Sequence, residues 1–430
     1  MKGLIFASFK LLPRAGGPST YLYNLRQGLE RTQINDIFII SASKESHING
    51  RKEIKDRYLA FSIRKWLKST LLNIFPSALA QLYIINHKII LKHTAHKQII
   101  KVLMELTEND IRFIHFHSVY DIMSFFIVRK KLPYPFSETP VILTSHSPEA
   151  THREVINLIQ GNFHRLLQND ISKERKLERY INKLERYYQM IDFLAFQNSD
   201  YLMFPCEEST EPYFETWKEF ERLFSQKKVF YVPTGVERLP VFEERDFIRE
   251  KYNIPVDSFV VSYVGRHTKV KGYDLLCEAA EEVWKKNSSI YFLIAGKQEP
   301  LKGPKDKRWV EVGWTNDPGS IINAADVFVL PNRRTYFDLV LLEVMSIGKP
   351  VIASKTGGNK FVARQSEGVL LFEELTPRSL AQKILEVASC SKSVLDKLGQ
   401  KNLETYERFY TVELFAKRYR KEVGKLFFGE

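Results

Sequence analysis

Residues 327–360 read VFVLPNRRTYFDLVLLEVMSIGKPVIASKTGGNK, and this stretch decides the fold. An apolar run, 327–330, stops at Pro331, and a polar loop follows. A second apolar run, 339–347, is long enough for a helix, and 351–354 is apolar again before Gly357-Gly358. Short runs that are apolar at successive positions suit strands buried on both faces. Two such strands joined through a helix form a parallel pair. Asp338 stands where a helix N-cap belongs, and its side chain is expected to cap that helix. The amides near Phe337 to Leu339 then lack intrahelical partners and are free to face an anion. Glu343 interrupts an otherwise apolar helix, and a carboxylate there is costly unless it meets water or a polar partner. A ribose diol is one such partner; an edge-exposed glutamate is the plainer alternative.

The same alternation runs outward in both directions. Apolar, β-branched or aromatic runs occur at 4–8, 37–41, 111–117, 141–146, 201–204 and 229–232, then at 259–264, 290–295, 327–330, 351–354 and 369–372. Helical patterns separate them, among them 273–286, 339–347 and 379–388. Strand–helix alternation specifies a doubly wound α/β parallel sheet, and here it occurs twice. The seam is expected at Pro233-Thr234-Gly235-Val236. The chain therefore divides into residues 1–235, residues 236–408, and a last amphipathic helix, 409–430, that returns to the first domain. Two helical insertions, 51–105 and 151–198, enlarge the first domain.

Bulk composition fits this reading. The chain has 430 residues, 44% of them hydrophobic, which suffices for two buried cores. Lys and Arg number 64 against 51 Asp and Glu, a net charge of +13. Such a balance suits an anionic substrate or an anionic membrane surface. No zinc-finger spacing, RNP-like aromatic motif or basic helix-turn-helix supports nucleic acid as a partner. Cys206, Cys277 and Cys390 are scattered and odd in number, which argues against a disulfide framework and a zinc site. All three are expected to be small core residues. The N-terminal apolar run is short and interrupted by Lys10, so it reads as a first strand rather than an export signal. A cytoplasmic protein is expected, possible contact with the inner face of the membrane included.

Two more motifs carry chemistry. Gly16-Gly17-Pro18-Ser19-Thr20 sits between the first strand and the first helix, where glycine permits close backbone approach and a helix N-terminus attracts phosphate. A plain strand-to-helix turn is the alternative. Gly265-Arg266…Lys271-Gly272, in VGRHTKVKGYDLL, follows the strand at 259–264. It puts two cations at the carboxyl edge of a sheet, where they can neutralise a diphosphate; a solvated charged loop is the alternative. His115, His117 and His146 close two strands of the first domain, and at least one of them is expected to be structural only.

Taken in order, GGPST, HFH at 115–117, TSH at 144–146, VPTGVE at 232–237, VGR…KG and the 327–360 motif make the chain resemble the family-4 (group 1) retaining glycosyltransferases of the GT-B fold. That resemblance implies two Rossmann-like domains with an inter-domain cleft, and sugar transfer from a nucleotide-diphosphate donor to a glycan, lipid-linked or protein acceptor. Bacterial surface polysaccharide or glycoconjugate synthesis is the implied setting. Arg266, Lys271 and His117 become the catalytic candidates. Gly16, Gly17, Thr335, Tyr336, Phe337, Asp338, Leu339 and Glu343 become the donor-binding set, with His115 and His146 as further cleft residues. No cofactor and no metal are implied.

One departure stands out. The family places a glutamate eight residues before the second glutamate, and here that position is Thr335. It leaves a second reading open, a non-catalytic partner of an active transferase. A nucleotide-sugar epimerase or a sugar phosphorylase is a third. On the acceptor side, residues 51–105 hold eleven Lys/Arg against three acids. Within them Leu72, Phe75, Leu79, Leu82 and Tyr83 recur at helical spacing, with Arg64, Lys65, Lys68, Lys88 and Lys92 flanking. Such a basic amphipathic segment can lie on an anionic membrane; a core-facing helix with a solvated basic side is the alternative.

Overall fold

The computed structural model describes residues 2–13, 16–41, 76–101, 103, 111–132, 134, 136–167 and 171–429. The expected segment 51–75, with Arg64, Lys65, Lys68, Leu72 and Phe75, lies outside them. The chain forms two compact units. The first comprises Met1–Phe204, Tyr213–Tyr231 and Tyr419–Glu430, and the second Pro205–Pro212 and Val232–Arg418.

The first unit is built on six parallel strands: β1 (Lys2–Ala7), β2 (Ile37–Ser41), β3 (Ile111–Phe116), β4 (Val141–Leu143), β5 (Tyr201–Phe204) and β6 (Lys228–Tyr231). Their order is β2-β1-β3-β4-β5-β6. The order reverses between β1 and β3, where Ile5 stands opposite His115 and Phe6 opposite Phe116. The insertions are helical at Pro76–Thr94, Thr151–Leu167 and Ile171–Asn198. Among the described residues the first of these begins at Pro76, a residue well suited to a first helical turn because it has no N–H to lose.

The second unit repeats the plan with β7 (Phe259–Val264), β8 (Ile290–Ala295), β9 (Trp309–Gly313), β10 (Val327–Leu330), β11 (Val351–Ser354) and β12 (Val369–Phe372). The order is β12-β11-β10-β7-β8-β9. Counted from β7, this is the dinucleotide-fold order 3-2-1-4-5-6, with its reversal between β7 and β10. Successive strand residues feed opposite cores, as the pleat requires. Val261, Phe292 and Ile294 join Leu276, Val329 and Leu380 on one face, while Val260, Leu293 and Ala295 meet Ile248, Ile254 and Ile321 on the other. Strand β9 is absent from the sequence-based expectation. It is an edge strand, WVEVG, half-exposed after its first residue, so it lacks the continuous apolar signature of its neighbours. Of the cysteines only Cys206 is a core residue; Cys277 and Cys390 are half-buried.

The last helix, Val412–Phe427, contains a boundary between units. In the second unit Tyr406 donates to the Val236 carbonyl at 2.9 Å, and Arg418 donates to that of Pro233 at 2.8 Å. In the first, Arg420 pairs with Asp36 at 2.5 Å, and Phe427 packs on Phe113 with ring centroids 4.8 Å apart.

Candidate functional site

Open α/β sheets bind ligands outside the carboxyl ends of their strands, where the strand order reverses. In the second unit that point lies between β7 and β10. The loop leaving β7 is folded tightly: Tyr263 donates to the Arg266 carbonyl at 2.8 Å, and Lys271 N donates to Thr268 at 3.1 Å. Gly272 closes it with φ +67°, and a Cβ there would lie 1.8 Å from the Pro331 carbonyl oxygen. Only glycine lets this loop sit flush against the end of β10.

That approach delivers Lys271 to Asp338, with Nζ and Oδ2 2.5 Å apart. Asn332 donates to the same oxygen at 2.5 Å. Asp338 occupies the N-cap position of Leu339–Ile347, and its side chain meets no helix amide in good capping geometry. The expected cap is thus subordinate to a partly buried ion pair: the carboxylate turns mainly to a cation from another loop, and the Val340 amide contributes least. Burial would raise the Asp338 pKa. The Lys271 charge and hydrogen bond, then Asn332, then the Val340 amide outweigh it and hold the group below the ordinary carboxylate range. The ammonium of Lys271 has three N–H donors, and one is committed to Asp338.

Arg266 is exposed at the end of β7, and its charge and that of Asp338 both act on the Tyr263 hydroxyl. Glu343 is half-buried one turn into the helix that Asp338 begins. Thr335, Tyr336 and Phe337 are buried. This loop packs on Gly357-Gly358 so closely that a Cβ at Gly357 would meet the Thr335 carbonyl at 1.9 Å.

Residues from elsewhere in the sequence fasten that loop. Ser209, in Pro205–Pro212, donates to the Tyr336 carbonyl at 2.8 Å. Glu211 accepts from Gly357 N at 3.2 Å and pairs with Lys360, and Glu208 pairs with Arg364. Ser209 and Glu211 escape a sequence reading because nothing in the polar stretch PCEESTEP, residues 205–212, marks a contact across more than a hundred residues. Asn332 was within reach of one, as a short amide directly after a strand-ending proline.

In the first unit the reversal lies between β1 and β3. Gly16 has φ +112°, and at Gly16 and Gly17 a Cβ would meet no described atom within 4 Å, so backbone faces open space. Gly17 opens the helix Gly17–Arg31. Ser19 ties the preceding loop down, accepting from Leu12 N at 2.9 Å and donating to the Lys10 carbonyl at 2.7 Å.

His115, His117 and His146 come together beside Tyr21. The His115 and His117 rings are 4.0 Å apart, and His117 Nδ1 and His146 Nε2 are 2.9 Å apart. Burial lowers the pKa of His115 and His117 well below the ordinary value, helped by the charge of His146 on His115 and those of His115 and His146 on His117. Burial brings His146 down to about 3. All three are neutral at physiological pH. Thr144 donates to the Met203 carbonyl at 3.1 Å, so it accepts from His115 Nε2 at 2.8 Å. His115 Nδ1 then accepts from the Tyr419 hydroxyl at 2.9 Å. Both nitrogens of His115 are used, which makes it a structural residue. His117 Nε2 is buried and without a hydrogen-bond partner, an atom that calls for one.

With this geometry in place, comparison with known proteins can be set beside it: residues 258–389, within the second unit, are similar to the family described as glycosyl transferases group 1. An Escherichia coli UDP-Gal:alpha-D-GlcNAc-diphosphoundecaprenol alpha-1,3-galactosyltransferase is 31% identical over 159 residues, covering 34% of this chain and 41% of that protein. The O-antigen biosynthesis glycosyltransferase WclY of the same organism is 27% identical over 187 residues, 42% of this chain and 50% of that protein. The matched stretch thus spans half or less of these curated relatives. Among solved structures, sucrose-phosphate synthase from Thermosynechococcus elongatus superposes with a TM-score of 0.61 at 16% identity, over 100% of both chains. The two six-stranded parallel sheets have the GT-B architecture of two Rossmann-like domains.

Proposed function

We propose that the protein is a retaining, metal-independent glycosyltransferase. It takes a hexosyl group from a nucleotide-diphosphate sugar and transfers it to a glycan or lipid-linked acceptor in surface-polysaccharide assembly. The observation that carries this is the Lys271–Asp338 pair at the β7/β10 reversal, with Arg266 on the same strand end. Asp338 holds the ammonium in place and leaves two of its N–H donors for phosphate oxygens. Arg266 adds a fork of donors suited to the same group. As the glycosidic bond breaks, negative charge grows on the leaving diphosphate, and fixed cations stabilise it more than they stabilise the ground state. Glu343 is assigned to the ribose hydroxyls. The unpartnered Nε2 of neutral His117 is assigned to a substrate hydroxyl. The acceptor class is supported by the relative that acts on a diphosphoundecaprenol-linked sugar. A lipid of that kind requires the enzyme to work at a membrane surface, on its cytoplasmic side where nucleotide sugars are made.

The test is release of nucleoside diphosphate from a panel of nucleotide sugars, with and without lipid-linked acceptors. Arg266→Ala is expected to lower turnover about 10²–10³-fold, as loss of one charge-stabilising donor commonly does. Unchanged turnover would place the phosphate site elsewhere. One observation favours a second reading: the family's charged position is here a buried, neutral Thr335. A chain that binds nucleotide but turns over no donor would be the non-catalytic partner.

A further inference from the structure

The helix Pro76–Thr94 is apolar on two opposite sides. One side, with Ala80, Ile84 and Leu91, is buried in the first unit, and so is Leu79 in the first turn, one turn before the exposed row begins. On the other, Leu82, Ile85 and Ile89 recur at three- and four-residue spacing and are 55%, 45% and 61% exposed, with Ile90 beside them at 51%. A surface helix normally turns polar residues outward, so burial in the protein's own core does not explain this row. The charges along this segment have one sign. Residues 76–101 contain Lys88, Lys92, Lys97 and Lys101 and no Asp or Glu. Lys88 and Lys92 flank the apolar row on one side by helical spacing and are exposed. Among the described residues no helix is long and apolar enough to cross a membrane.

We propose that this face is the protein's contact with an anionic lipid bilayer. Leu82, Ile85, Ile89 and Ile90 enter the headgroup–acyl boundary, and Lys88 and Lys92 meet lipid phosphates. Aliphatic residues set among lysines, without acids, are the composition of a helix that lies in the interface plane. A face of that composition fits a second copy of this chain less well, because that copy would bring its own lysines against these. The proposal rests on the membrane-surface acceptor proposed above and names the residues that reach the surface.

Flotation of the full chain with phosphatidylglycerol–phosphatidylcholine vesicles tests it. The wild type is expected to float with these vesicles, less so at high salt, and not with phosphatidylcholine alone. Leu82→Ser/Ile85→Ser/Ile89→Ser is expected to lower partitioning about 10²-fold, the effect of three half-exposed aliphatic side chains no longer leaving water. Lys88→Glu/Lys92→Glu is expected to lower it at least about fivefold per lysine. Circular dichroism and nucleoside-diphosphate release check that the variants are folded and intact. A triple variant that floats like the wild type overturns this surface and leaves the membrane-surface reading standing. A wild type that never floats overturns both. A triple variant that instead loses self-association assigns the face to a second copy and overturns the proposal.

Discussion

Replacing Lys271 by alanine should destabilise the second unit by about 2 kcal/mol at neutral pH. The Lys271 and Asp338 side chains are 25% and 12% exposed. Breaking a fully buried pair costs about 3–5 kcal/mol, and an exposed pair contributes about 0–1; this pair lies between. The loss should shift the melting temperature by about 4–8 °C. Its pH dependence has a definite sign. In the wild type Asp338 is held below the ordinary carboxylate range, so its stabilising contribution is present above its unfolded pKa and lost as pH falls through the folded value. Without Lys271, burial dominates and the folded pKa rises, so the folded variant takes up a proton at higher pH than the unfolded chain. The deficit relative to wild type should therefore shrink as pH falls from 7 to below about 4. Asp338→Asn in the Lys271→Ala background should recover part of the loss, because no uncompensated charge remains. Urea denaturation followed by tryptophan fluorescence, at pH 7 and pH 4, reads both effects. A deficit under about 0.5 kcal/mol, or one equal at both pH values with no recovery in the double variant, would refute the reasoning.

Gly272→Ala should cost more than the roughly 1–2 kcal/mol of left-handed strain alone, because its Cβ would lie 1.8 Å from the Pro331 oxygen; a denaturation midpoint equal to wild type would contradict this. His115→Phe orphans Thr144 and Tyr419 and should cost about 2 kcal/mol, whereas His117→Ala should change stability less and lower turnover more, which paired melts and donor assays separate. Ser209→Ala and Glu211→Gln should raise the donor KM several-fold by loosening the Thr335–Phe337 backbone, with Glu211→Asp partly restoring it; an unchanged KM would make these contacts structural only.

The strands buried on both faces were legible because each is apolar at successive positions, and 339–347 was read to its ends between Asp338 and Gly348. Strand β9 was not, since an edge strand with Glu311 in the middle carries no such run. The geometry of the candidate site was legible where a residue acts through its own neighbourhood: glycines at strand ends, and Arg266 and Lys271 on one loop. Asp338 shows the limit. Local rules make it a helix cap, but its carboxylate answers to Lys271, 67 residues away, and only the strand order β10-β7 brings the two loops together. The same holds for His115, whose partners Thr144 and Tyr419 lie 29 and 304 residues away. Local pattern gave three equivalent histidines; the hydrogen bonds separate a satisfied His115 from a His117 with one nitrogen unused.

The most direct test is calorimetric titration with the nucleoside diphosphate of the accepted donor, comparing wild type with Arg266→Ala and Lys271→Ala. Charge-assisted hydrogen bonds of about 1.5–3 kcal/mol predict that each variant binds roughly 10–150-fold more weakly. Equal affinity in all three proteins would contradict the assignment of the β7/β10 strand ends to the diphosphate.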